Sequence, residues 1–170
     1  MTSLLPLVPD ALTIDTFDGD AFVGLVPFHM TGVRPRWFPA VPGVSAFPET
    51  NVRTYVHHRG HGPGVYFLSL DAASRLAVSV ARWKWSLPYF HSRMVVEFNG
   101  DRVHYASQRV VAAADRQGMI GPGTPGPGVE LELQLAGQLD TVDSEGHARP
   151  GTLEDFLIER YFLYTLDARG

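Results

Sequence analysis

The sequence contains no cysteine, which excludes disulfides, thiolate metal centres and thiol catalysis. Lysine is nearly absent as well. Lys84 stands alone, so any lysine-based covalent mechanism rests on one side chain. Charged residues make up only 19% of the chain and the formal charge is −4. A nucleic-acid partner calls for a concentrated basic face that displaces counterions, and no segment gathers arginines in that way; nucleic acid is not an expected partner. No stretch reaches the roughly 18 apolar residues of a membrane span. Met1 to Leu12 lacks both a basic start and the apolar run of a signal peptide. A cytoplasmic protein with no membrane partner is the expectation.

What is present is apolar and aromatic. Hydrophobic residues make up 45% of the 170, with ten Phe, six Tyr and three Trp. That is enough for one globular domain, 1–170, with a core of its own. Pro6, Pro9, Pro27, Pro35, Pro39, Pro42 and Pro48 preclude a long helix in the first third. Leu12–Phe17 and Ala21–Met30 are predicted as strands joined across Asp18-Gly19-Asp20, and Thr50–His58 and Val65–Leu70 as two more. Asp71 is placed to cap a helix over Ala72–Trp85, with Ala73, Leu76, Ala77, Val80 and Ala81 at helical spacing. Ser74 and Arg75 fit surface or capping roles there. Asn99-Gly100 predicts a hairpin between Tyr89–Phe98 and Arg102–Val111. A loop over Gly121–Gly128 and a strand over Val129–Ala136 follow. A second helix starts at Thr152, with Glu154 and Asp155 in its first turn. Its expected buried stripe is Leu153, Phe156, Leu157, Tyr161 and Tyr164, with strand an alternative near Tyr161. The fold class is mainly β (α+β): an antiparallel or mixed sheet, open or closed into a barrel, with two helices.

Two motifs carry little chemistry. Gly121–Gly126 matches G-x-G-x-x-G, but Pro122, Pro125 and Pro127 remove the N–H donors that a phosphate needs and forbid the following helix. His57, His58 and His61 lie at a strand end and in a glycine-rich turn without a nearby carboxylate to complete a ligand set. No metal and no cofactor is expected.

Two strands have a chemically mixed face. Glu49, Asn51, Arg53 and Tyr55 alternate along one strand, and Tyr89, His91 and Arg93 along another. Such faces are either the solvent sides of half-buried strands or the lining of a polar pocket. In the second case Glu49 and His91 are the candidate acid–base groups. Asn51, Arg53, Tyr55, Tyr89 and Arg93 are the candidate ligand-binding residues, with an arginine holding an anionic group such as a carboxylate. The alternative is a non-catalytic interaction or ligand-sensing domain, which an exposed patch of Trp37-Phe38 and Trp83/Trp85 would favour.

Several longer motifs stand in order: Val26–Met30 (VPFHM), Ser45–Val56 (SAFPETNVRTYV), Phe67–Ala72 (FLSLDA), Leu87–His91 (LPYFH) and Leu153–Tyr164 (LEDFLIERYFLY). Together they resemble the YqjF-like family, a bacterial family of unknown function, over nearly the whole chain. The resemblance implies an acetoacetate decarboxylase-like fold, a β-rich cone around a buried pocket. Phe47-Pro48-Glu49 resembles the aromatic-x-Glu step that sets an acid beside the decarboxylases' reactive lysine. Where their Pro-Lys-Lys would fall, this chain has Pro88-Tyr89-Phe90, and neither Tyr nor Phe forms a Schiff base. The resemblance therefore implies a small-molecule binder, catalytic or not, whose chemistry on a small carboxylate or keto acid is independent of lysine. It also implies further strands beyond both ends of this chain. The barrel would then be incomplete, with unpaired edges that favour association into a homo-oligomer.

Overall fold

The computed structural model describes residues 4–32, 46–59, 61–85, 87–111, 124–135, 137 and 139–166. A 3-10 turn, Leu5–Leu7, is followed by β1 (Thr13–Ile14), β2 (Val23–Met30), β3 (Phe47–His57), β4 (Gly64–Ala72), α1 (Arg75–Trp85), β5 (Tyr89–Asn99), β6 (Arg102–Val111), β7 (Thr124–Gln134), α2 (Leu153–Ile158) and β8 (Phe162–Tyr164). The mainly β fold with two helices is as expected. The strand order is β1-β3-β4-β5-β6-β7, with β2 paired to β3 and β8 to β4. The chain forms two compact units: residues 1–25, 52–68 and 137–170, and residues 26–51 and 69–136.

In the first unit, β1 runs antiparallel to the end of β3 (Thr13↔His57), and β8 runs parallel to the start of β4 (Gly64↔Phe162). Its core joins Tyr55, Val65 and Phe156, with Phe17, Phe22 and Leu157 packed around them. α2 starts where its cap predicts, because the Thr152 hydroxyl accepts the Asp155 N–H and Glu154 and Asp155 fill the first turn. It ends after six residues. Phe156 is buried as expected, whereas Tyr161 is 79% exposed, because the chain has left the helix for β8 by that point. Asp18 and Gly19 take positive φ (50° and 87°) in a tight turn closed by Phe17 and Asp20, as the sequence predicts. The strands that flank this turn do not pair as a hairpin; each pairs with β3.

In the second unit, β4, α1 and β5 form a crossover, with Leu70, Asp71 and Ala72 parallel to Tyr89, Phe90 and His91. Asp71 does not cap α1. It stays in β4, and Ser74 takes the cap, its hydroxyl accepting the Ala77 N–H at 3.4 Å. This later start turns the buried stripe to Ser74, Ala77, Val78 and Ala81 and leaves Leu76 (56%) and Val80 (42%) exposed. The stripe seals a small core of Phe47, Ala72 and Val78, against which Tyr89 packs.

The β5–β6 hairpin is as predicted, with a refined turn: Asn99 pairs with Arg102, so Gly100 is the first central residue at φ 63°. Glycine at that position is what a II′ turn requires. β7 begins at Thr124 rather than at Val129, so part of the expected loop is strand. Among the described residues β7 is the last strand of the order, a position that tolerates proline. The β6–β7 register shifts between Gln108↔Gly128 and Val110↔Pro125, where β7 carries one residue more than β6. At Gly128 a Cβ would lie 2.9 Å from the Ser107 carbonyl oxygen, so only glycine permits this approach.

Candidate functional site

Strand alternation decides which side chains meet in the second unit. On one side of its sheet lie Phe47, Glu49, Leu70, Ala72, Tyr89 and His91, covered in part by α1. Glu49 is buried, 3% exposed. The Tyr89 hydroxyl donates to its carboxylate and lies 3.1 Å from both Oε1 and Oε2. Burial disfavours the carboxylate and raises the Glu49 pKa to about 7, against the opposing pull of the Tyr89 hydrogen bond. Burial, and then the neighbouring Glu49 charge, push the Tyr89 phenol well above its ordinary value. Tyr89 therefore stays a neutral donor while Glu49 exchanges a proton near neutral pH.

Two positions along β5, His91 is half-buried, and its pKa is lowered by burial and by the charges of Arg75 and Arg93. The charges of Arg75 and Arg93 thus both act on this imidazole. Arg93 is exposed. Asn51 is buried, and its Oδ1 meets no hydrogen-bond partner among the described residues. Arg53 and Tyr55 are engaged in the first unit. Arg53 Nη2 donates to the Leu157 carbonyl at 2.8 Å, and the Tyr55 ring packs 5.0 Å from that of Phe156. The structure thus brings Glu49 to Tyr89, and His91 to Arg75 and Arg93, while Arg53 and Tyr55 have other partners. Arg75, expected in a surface or capping role, is the exposed first residue of α1, and its charge acts on His91. The Lys84 side chain, Trp37, Phe38 and the Trp85 side chain lie outside the described residues, as do Gly121 to Gly123. His58 and His61 stack on each other at 5.5 Å.

The opposite side of this sheet is concave, since Tyr105 on β6 reaches Thr50 on β3 at 2.5 Å although two strands intervene. Arg109, also on β6, reaches over β5 to β4, where its Nε and Nη2 lie 3.0 and 2.6 Å from Asp71 Oδ1. Nη2 also donates to Ser69 Oγ at 2.5 Å, and the guanidinium carbon lies 3.7 Å above the centre of the Phe90 ring. No local signal marks Asp71 and Arg109 as partners.

The family model described as "Uncharacterized conserved protein" matches residues 1–169. The chain belongs to this family, DUF2071. Over 162 residues it is 50% identical to "Uncharacterized protein YqjF" of Bacillus subtilis (strain 168), which is the resemblance its motifs indicated. That match takes in 95% of this chain and 59% of the relative, so the chain spans well under two thirds of the relative's length. Among solved structures, this DUF2071 chain is similar to acetoacetate decarboxylase from Legionella pneumophila, with a TM-score of 0.48 and 12% identity over 78% of this chain and 59% of that one. Among the described residues no helix is long and apolar enough to cross a membrane.

Proposed function

We propose that the chain binds a small carboxylate or keto acid and acts on it by acid–base chemistry that needs no lysine, with Glu49 as the proton-carrying group. The observation that carries this reading is the buried Glu49 carboxyl under the Tyr89 hydroxyl, with a pKa of about 7. A carboxyl poised there is present in both protonation states at neutral pH and can give or take a proton without a large driving-force penalty. Tyr89 orients it. Arg75 and Arg93, flanking His91, supply the attraction for an anionic group. His91, kept neutral, is a second proton acceptor on the same strand face.

A thermal-shift screen of small carboxylic and keto acids tests this, because a ligand that binds only the folded state raises the melting temperature. The expected result is a stabilising keto or carboxylic acid whose effect is lost in Glu49→Gln. Equal shifts in the wild type and in Glu49→Gln for every compound would refute the role of Glu49.

A second reading is favoured by α1. Leu76, Val80 and Trp83 are 56%, 42% and 85% exposed and share one outward stripe at positions i, i+4 and i+7. A stripe of this kind suits an interaction or ligand-sensing domain. Replacing Trp83 by Ser should then abolish association without touching the ligand response.

A further inference from the structure

The outward face of α1 combines two features that its place in the fold does not require. Leu76, Val80 and Trp83 stand 56%, 42% and 85% exposed along it, while Val78 packs into the core on the other side. Every charged residue of the helix is basic: Arg75, Arg82 and Lys84, in a chain whose formal charge is −4. Arg82 and Lys84 suit the last turn, where the helix dipole favours cations. Arg75 opens the helix, where the dipole opposes a positive charge, so helix stability does not account for it.

Arg75 and Arg82 are seven residues apart and so lie along one edge of the apolar stripe. Neither forms an ion pair among the described residues. Between them and the stripe stands Ser79, whose hydroxyl donates to the Arg75 carbonyl at 3.0 Å and leaves no unmet polar group facing outward. Arg93 on β5 is exposed, and its charge reaches His91 as that of Arg75 does, so the basic patch continues onto the neighbouring strand. The carboxylates of β3 and β4 do not offset it, since Glu49 is buried and Asp71 is paired with Arg109. Glu97 stands at the opposite end of β5 from Tyr89.

The 11 residues of α1 span about 16 Å. Three apolar side chains on that length offer well under the roughly 800 Å² that each partner gives to a stable protein interface. A lipid surface needs less, because shallow insertion of apolar side chains adds to the attraction of flanking cations for anionic head groups. Tryptophan suits that boundary, with an apolar body and one N–H for the head-group layer. We infer that the outward face of α1 docks the chain onto an anionic lipid bilayer. Leu76, Val80 and Trp83 enter the acyl boundary, and Arg75 and Arg82 lie among the phosphates. The helix rests on the bilayer and does not cross it, a contact that the lack of a long apolar helix among the described residues leaves open. The inference rests on the reading of α1 as an interaction surface, names its partner, and is independent of the role proposed for Glu49.

Co-sedimentation with vesicles of phosphatidylcholine alone, and of equimolar phosphatidylcholine and phosphatidylglycerol, tests it. The chain should pellet with the mixed vesicles, stay in solution with the neutral ones, and be released by high salt, which screens exposed charges. Trp83→Ser should weaken binding by at least about tenfold. Arg82→Glu should weaken it by about twentyfold, two charge units at about fivefold each. Both positions are exposed, so both variants should keep the wild-type melting temperature, which separates a lost surface from a lost fold. Equal binding to the two kinds of vesicle, no binding to either, or wild-type binding by Trp83→Ser would overturn the inference. Sedimentation velocity without lipid separates it from the reading it rests on. Self-association lost in Trp83→Ser, without vesicle binding, would assign the stripe to a second copy of the chain, overturning the lipid partner and keeping the interaction reading. A chain that neither self-associates nor binds vesicles would remove both.

Discussion

Arg109 holds a single oxygen of Asp71, Oδ1, with both Nε and Nη2 from 38 residues away in the chain, across an intervening strand. The pair ties β6 to β4 and keeps Asp71 in the strand rather than at the helix cap. Both side chains are less than one-fifth exposed, so removing one partner strands the other's charge. Arg109→Met should cost about 2–3 kcal/mol in urea unfolding, and the double change Asp71→Leu/Arg109→Met should recover a large part of it. Additive losses in that cycle would show that the two groups are not coupled.

Gly64 is the second point of tight construction. A Cβ there would collide with the Phe162 carbonyl oxygen and lie 2.8 Å from the Tyr164 ring. Gly64→Ala should therefore push β8 off β4 and cost roughly 2–3 kcal/mol or more, in the range of overpacking defects. Gly137→Ala, where a Cβ meets nothing within 4 Å, is the matched control and should be close to neutral.

Much of the fold was legible because its signals are local. Asn99-Gly100 announces the β5–β6 hairpin, and Thr152 with Asp155 three residues on announces α2. Asp71 misled for the opposite reason: it has the chemistry of a cap, but its partner arrives only with Arg109. Pro125 and Pro127 read as loop because nothing in the sequence says that β7 is an edge. At the candidate site, alternation found Glu49, Tyr89, His91 and Arg93 on shared faces. It could not tell which side of the sheet is concave, so Arg109 drew no notice. Curvature arises from long-range pairing, and Tyr105 meeting Thr50 is visible only in three dimensions.

Glu49 makes stability depend on pH. Its folded pKa, about 7, lies above the ordinary 4.5, so between those values the folded chain holds a proton that the unfolded chain has released. Its contribution to stability is therefore full below pH 4.5 and is lost as pH rises to 7. Glu49→Gln should remove this slope, and at pH 8 it should be more stable than wild type by on the order of 2–3 kcal/mol. Urea melts of both proteins from pH 4.5 to 8 check it. A wild-type slope retained in Glu49→Gln would place the effect elsewhere.

Lys84 is expected to take no part in covalent chemistry, since the buried Glu49 carboxyl is held by the Tyr89 hydroxyl, which forms no Schiff base. Incubation with acetoacetate and borohydride should leave the mass of the chain unchanged. A reduced adduct mapped to Lys84 would restore a Schiff-base mechanism.

The proton-carrying role of Glu49 is tested most directly by titrating its carboxyl, followed by carbon-13 NMR of glutamate-labelled protein with Glu49→Gln as the assignment control. The expected midpoint is near 7 and moves higher in Tyr89→Phe as the carboxylate loses its hydrogen bond. A midpoint at the ordinary value of 4.5 would leave Glu49 fully ionised at neutral pH and contradict its role as the proton-carrying group.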